Sequence, residues 1–376
     1  SQLLPGEDFQ APEAALVYSD EGIGGMSRGF HALWENHLLP VRWMNRKRPV
    51  LLNSWEAAYF DFDEEKLLSI AKAAADAGVE LFVMDDGWFG HRDDDTTSLG
   101  DWFVNEKKLP GGLSNLIRQV NERGLKFGIW FEPEMISPNS DLFRAHPDWC
   151  VHVAGREPML GRHQYVLDVS RADVRDNIWQ QMYNVLSKHK IDYVKWDFNR
   201  NFSEAGSAAL PAERQKEVPH RYMLGLYSLL ERLVSRYPHL LIEGCASGGG
   251  RFDPGMLYYS PQIWTSDNSD AIERLNIQCS ASYGYPVSVV GSHVSAVPNH
   301  QNGRVTDINT RGVVAMSGNF GYELDLTKLG QEDKEQIKKQ IVDFKKDWNL
   351  IHNGTYYRVT GCREHNEYAA WNMVSE

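Results

Sequence analysis

The sequence predicts an α/β protein: a (β/α)8 TIM barrel followed by the start of a small C-terminal antiparallel β domain. Three observations predict it. From Pro49 onward, short apolar runs alternate with longer stretches of helical period, which implies a parallel sheet. These repeats fill roughly 280 residues, close to the usual size of about 250 for an eightfold barrel with insertions. Polar residues also gather at the C-terminal ends of the runs, at Asp85, Asp86, Glu132, Asp197, Cys245, Asp267 and His293. In parallel α/β folds that rim carries the active site.

Residues 1–47 read as an irregular linker segment with a short amphipathic stretch at 26–37. The barrel is placed at 48–330. Its candidate strands are VLLNSW (50–55), ELFVMDD (80–86), KFGIWFEP (126–133), YVLDVS (165–170), DYVKWD (192–197), LLIEGCAS (240–247), QIWTSD (262–267), PVSVVGSH (286–293) and VVAMSGNF (313–320). That is one too many for eight, and YVLDVS is demoted to an excursion after KFGIWFEP. DYVKWD then becomes strand 4 and QIWTSD strand 6. Apolar residues at i, i+3, i+4 and i+7 predict helices over 64–77 and 221–236. Residues 331–376 read as a charged helix and the beginning of a C-terminal β domain that stops abruptly.

Composition narrows the class. The chain carries 39 basic against 51 acidic residues, a net charge of −12, which disfavours a nucleic-acid partner. No apolar run is long enough to span a membrane, and no signal peptide is visible at the start, so a cytoplasmic protein is expected. The four cysteines (150, 245, 279 and 362) show no CxxC pairing and are read as reduced thiols.

Asp197 and Asp267 end two different strands and can face one another across a barrel mouth. Carboxyl groups about 5 to 5.5 Å apart make a retaining glycosidase, and a wider gap an inverting one. Lys195 beside Asp197 favours the ionised form that a nucleophile needs, although a structural ion pair would look the same. Asp270 reads as a cap for the following helix. Asp85 and Asp86, followed by Gly87 and Trp88, suit sugar hydroxyls with an indole against the ring. Paired carboxylates can also hold a hard cation. The sugar reading is preferred: neither a metal nor a cofactor is expected, and 93–95 is taken for a solvated loop. The glycines of CASGGGR (245–251) permit close backbone approach to a ligand. They match neither a phosphate loop nor a dinucleotide loop.

Taken together, VMDDGWFG, DWFVNEKKLPGGL, GIWFEPEMISPNS, YVKWDFNR, CASGGGRFDPGMLYY, WTSDNSDAIERL and GSHVSAVPNHQNGR resemble the catalytic barrel of glycoside hydrolase family 36, nearest its bacterial α-galactosidases. The resemblance implies a retaining α-galactosidase with Asp197 as nucleophile and Asp267 as general acid/base. It implies that Asp85 and Asp86 hold the galactose 4- and 6-hydroxyls, and that Lys195 and Arg162 contact the 3- and 4-hydroxyls. Trp130 would wall the sugar, Asn199 would steady the nucleophile, and Cys245 with Gly248 would lie against the 2-hydroxyl. Trp55 would line the mouth. The partner implied is a small oligosaccharide of the melibiose or raffinose type. Full-length relatives of this kind carry an N-terminal β-sandwich, expected to be missing here, and form homotetramers. An α-N-acetylgalactosaminidase, a galactosyl-transferring enzyme and a silent galactoside-binding protein are the rival readings.

Overall fold

The computed structural model describes residues 3–360 and 368–375. Eight parallel strands close into a barrel in sequence order: β1 (Leu51–Asn53), β2 (Leu81–Met84), β3 (Lys126–Phe131), β4 (Tyr193–Trp196), β5 (Leu241–Gly244), β6 (Gln262–Trp264), β7 (Val290–Ser295) and β8 (Asn319–Glu323). Leu51 closes the ring, registered against Leu81 on one side and Gly321 on the other. The demoted run lies outside the barrel. Tyr165–Val166 pairs antiparallel with Met135–Ile136 in the excursion after β3. The runs at 192–197 and 262–267 accordingly supply strands 4 and 6.

Helix Glu64–Ala77 shows how local signals fix an element. The Asp63 carboxylate accepts from the Lys66 N–H at 2.8 Å, Gly78 ends the helix at φ +97°, and Leu67, Ile70, Ala71 and Ala74 form its buried stripe. The helix expected over 221–236 begins earlier, at Val218, because Pro219 suits a first helical turn. The stretch within the supposed linker is a full helix, Gly22–His37. Its His31 and Trp34 rings bond the Ser282 and Gly284 carbonyls at 2.8 and 2.7 Å.

Three expectations need correction. The run 313–320 is not one strand: Val313–Ala315 finishes helix Ile308–Ala315, which Asp307 caps, and β8 starts only at Asn319. A short apolar run carries no periodicity that separates a buried helix end from a strand. In the run 286–293, residues Val287–Val289 form a 3-10 turn, and His293 sits inside β7 rather than at its end. The cysteines are not all reduced. Cys150 and Cys245 are free, but Cys279 is disulfide-bonded. Spacing along a chain does not report proximity in space; Cys362 lies outside the described residues.

Trp43, Leu51, Leu81, Val83, Tyr193 and Leu241 form a compact cluster of buried residues. Five of them are the first or third residues of their strands, so the cluster fills the N-terminal end of the barrel and leaves the opposite end for chemistry. After β8, helix Gln331–Asn353 leads to Thr355–Arg358, which pairs antiparallel with Trp371–Val374. Among the described residues no helix is long and apolar enough to cross a membrane.

Candidate active site

The site is built on the residues that immediately follow the strands. Beyond β2, the Asp85 carboxylate accepts from Lys195 Nζ at 2.9 Å and from Asn53 Nδ2 at 2.7 Å. Burial works against the Lys195 charge, but Asp85, with Cys245, Glu323 and Asp197 nearby, outweighs it and holds the ammonium well above its ordinary range. Asp86 is gripped at both oxygens by Arg92, at 2.7 and 2.8 Å. Both residues are buried, and a buried pair that loses one partner costs about 3–5 kcal/mol. Arg92→Ala is therefore expected to lower unfolding stability by about that much, read from urea melts. A change below about 1 kcal/mol would mean that solvent reaches Asp86 freely.

Asp197 follows β4 by one residue. Its Oδ2 accepts the Trp130 indole N–H at 3.0 Å and its Oδ1 the Phe198 amide at 2.8 Å. Glu132, one residue past β3, is fully buried; its Oε1 accepts from the Asn199 amide at 2.5 Å and from Gln164 Nε2 at 2.6 Å. Burial, and then the Asp197 charge, push the Glu132 carboxyl up to about 8. Cys245, one residue past β5, is buried beside Asp197. Burial and that neighbouring charge drive its thiol well above the usual range, so it stays protonated.

Asp267 lies three residues past β6 and accepts the Trp264 indole N–H at 3.2 Å. That indole is clamped: the Arg274 guanidinium sits 4.1 Å from its ring centre, and the His293 ring packs at 4.4 Å. Arg274 also donates to the Ser266 and Asn268 carbonyls, which fixes the turn that bears Asp267. Burial and the charge of Asp197 both raise the Asp267 carboxyl. Asp270 caps helix Ala271–Ala281 by accepting the Glu273 amide. Gly248, at φ +82°, meets this turn edge-on: a Cβ there would lie 2.5 Å from Ser266 Cα and 2.7 Å from the Asp267 nitrogen. Any larger residue would displace Asp267.

These groups surround one cavity of about 390 Å³. Asp85, Asp86, Trp130, Arg162, Lys195, Asp197, Asn199, Asp267 and Trp55 all line it. Trp55 stands against Tyr59 and Phe60, edge to face at 5.2 Å from each. Cys245 and Gly248 do not line the wall; the first sits behind Asp197 and the second behind Asp267. Asp95, taken for a solvated loop residue, does line it.

The Melibiase family model matches residues 8–354. The chain belongs to the melibiase family. It is 58% identical over 373 residues to the α-galactosidase AgaA of Geobacillus stearothermophilus, covering 99% of this chain and 51% of that protein. It is 54% identical to the α-galactosidase Mel36A of Lactobacillus acidophilus, again covering 99% of this chain and 51% of that protein. The crystal structure of AgaA, described as a GH36 α-galactosidase, superposes with a TM-score of 0.93, covering 94% of this chain and 49% of that one. The chain thus spans about half the length of the curated relatives it matches.

Several residues of this cavity escaped the sequence reading: Arg92, Gln164, Trp264, Gln301, Glu56 and Glu323. Glu323 ends β8, beyond the point where the predicted run stopped. His293 Nδ1 bonds it at 3.0 Å; against the cost of burial, that contact with Lys195 and Arg274 holds it below its ordinary range. Burial, and then the Glu323 charge, push the Glu56 carboxyl up to about 8. Gln301 belongs to the NHQNGR motif, and its amide donates to the Asp267 carbonyl. Its place in the motif was the available signal.

Proposed function

We propose that the chain is the catalytic barrel of a retaining α-galactosidase acting on terminal α-galactosyl groups of raffinose-type oligosaccharides. The observation that carries this reading is the pairing of Asp197 and Asp267 on one cavity in contrasting environments. Asp197 accepts two N–H donors, while Asp267 is half-buried with its carboxyl raised. Such a division separates a nucleophile from an acid. Support also comes from relatives: structures of variants of the Geobacillus stearothermophilus enzyme hold raffinose and stachyose.

In the first step Asp197 Oδ attacks the anomeric carbon while Asp267 gives its proton to the departing oxygen. The C–O bond breaks and a β-galactosyl ester forms. In the second, Asp267 takes a proton from water, whose oxygen displaces Asp197 and releases α-galactose. Asp85, Asp86, Lys195 and Arg162 hold the sugar hydroxyls, with the Trp130 indole as a wall.

The test is hydrolysis of an aryl α-galactoside against the aryl α-N-acetylgalactosaminide, with NMR of the first anomer released. Fast release of α-galactose is expected, with little action on the acetamido sugar. A β-anomer as first product would overturn the retaining mechanism, and a preference for the acetamido sugar would overturn the substrate class.

A further inference from the structure

Glu132 has no part in the two-carboxylate scheme, yet it lies deep in the same cavity and close to the proposed nucleophile. Its two oxygens are treated differently. Oε1 accepts two N–H donors, from the Asn199 main chain at 2.5 Å and from the Gln164 side chain at 2.6 Å. Oε2 has no recorded hydrogen-bond partner among the described residues, and Glu132 lines the cavity wall. Among the described residues no cation is paired with it. Arg92 spends its guanidinium on Asp86 and the Thr97 carbonyl, and Lys195 spends its ammonium on Asp85. Burial and the charge of Asp197, just after β4, oppose ionisation of Glu132; they outweigh Arg92 from the loop after β2 and the Asn199 and Gln164 donors, which favour it. Asp86, Asp95 and Arg162 line the same cavity. An ionised Glu132 would set a second buried negative charge beside Asp197, without a partner to offset it.

We propose that Glu132 works as a neutral acid whose Oε2–H donates a hydrogen bond into the cavity, to a hydroxyl oxygen of the bound galactosyl group. The proposal rests on the α-galactosidase reading for the identity of the sugar. The surrounding groups fix the geometry. With Oε1 already accepting two protons, the carboxyl proton has only Oε2 to occupy, and Oε2 has only the cavity to face. The neutral carboxyl thereby serves as a fixed donor among acceptors. A hydroxyl that gives its proton to a neighbouring carboxylate of the cavity can take another from Glu132. The neutral form also avoids setting a second buried negative charge beside Asp197.

Glu132→Gln discriminates, because a glutamine amide can reproduce the same pattern: its oxygen accepts from Asn199 and Gln164, and its nitrogen donates into the cavity. At pH 6, Glu132→Met, which cannot donate, is expected to lower kcat/KM for an aryl α-galactoside by about 10–100-fold, and Glu132→Gln to recover most of that loss. Unchanged activity in Glu132→Met would overturn the proposal, as would a loss of about 100-fold or more in Glu132→Gln with an unchanged melting temperature, which would show that the carboxylate itself is needed. A second measurement needs no turnover. Carbon-13 NMR of protein labelled at the glutamate carboxyls should show one signal that titrates above about pH 6.5 and disappears in Glu132→Gln. The same signal should titrate lower in Asp197→Asn, where the neighbouring charge is gone. Titration of Glu132 below about pH 6.5 would overturn the proposal whatever the activity. If the chain hydrolyses no α-galactoside, the α-galactosidase reading fails, while the NMR result still decides how Glu132 is protonated.

Discussion

Asp197→Ala is expected to lower kcat/KM for an aryl α-galactoside by on the order of 10⁴-fold or more, a loss of about 5.5 kcal/mol of transition-state stabilisation. Without the carboxylate no covalent ester can form, and a water in its place would accept from Trp130 Nε1 and the Phe198 amide but find in them no base to take its proton. Those donors mark an anion site of about the right size for a small nucleophile. Sodium azide should therefore restore turnover by attacking the anomeric carbon from the vacated side. The product is then β-galactosyl azide, whose configuration is the inverse of the substrate's. Two results would remove Asp197 from its role: activity retained in the variant, or rescue that gives the α-azide. Circular dichroism guards against the trivial outcome, since the substitution leaves a buried indole N–H unpartnered at a cost of about 1–3 kcal/mol.

The barrel was legible because its signals are local. Apolar runs, helical stripes and caps such as Asp63 and Asp270 are set by residues a few positions apart. The errors fell where tertiary context decides. Val313–Ala315 is as apolar as a strand and becomes a helix only through its Asp307 cap. The rim carboxylates could be found because a parallel strand delivers its next residue to the C-terminal face. Their environments could not be found in the same way. The Arg92 grip on Asp86, the stack of Arg274 and His293 on Trp264, and the paired donors on Glu132 join residues from different strands. Cys245 and Gly248 show the same limit. The resemblance implies that they lie against the 2-hydroxyl, whereas in the structure neither lines the cavity. Gly248 is needed for its backbone: a Cβ there would meet Ser266, not the cavity.

Asp267→Ala separates the two halves of the proposed cycle, because an acid matters in proportion to how badly the leaving group needs a proton. For raffinose, whose departing alkoxide is strongly basic, kcat/KM should fall by about 10²–10⁴-fold, the usual contribution of general acid catalysis. For a dinitrophenyl α-galactoside, which leaves without help, the first step should be nearly unimpaired, and the galactosyl-enzyme should accumulate because its hydrolysis still lacks a base. A burst of phenol followed by slow turnover is the expected trace. The structure explains how one carboxyl can serve both steps. Burial and the negative charge of Asp197 raise Asp267 in the free enzyme, which keeps its proton available for the leaving oxygen. Once Asp197 is an ester its charge is gone, that part of the shift vanishes, and Asp267 becomes ionised enough to take a proton from water. The sign follows directly: ionisation of Asp267 in the free enzyme sets an alkaline limit on kcat/KM, and that limit should be absent for the dinitrophenyl substrate. Equal losses on both substrates, or an alkaline limit unchanged between them, would mean that Asp267 shapes the pocket without transferring the proton.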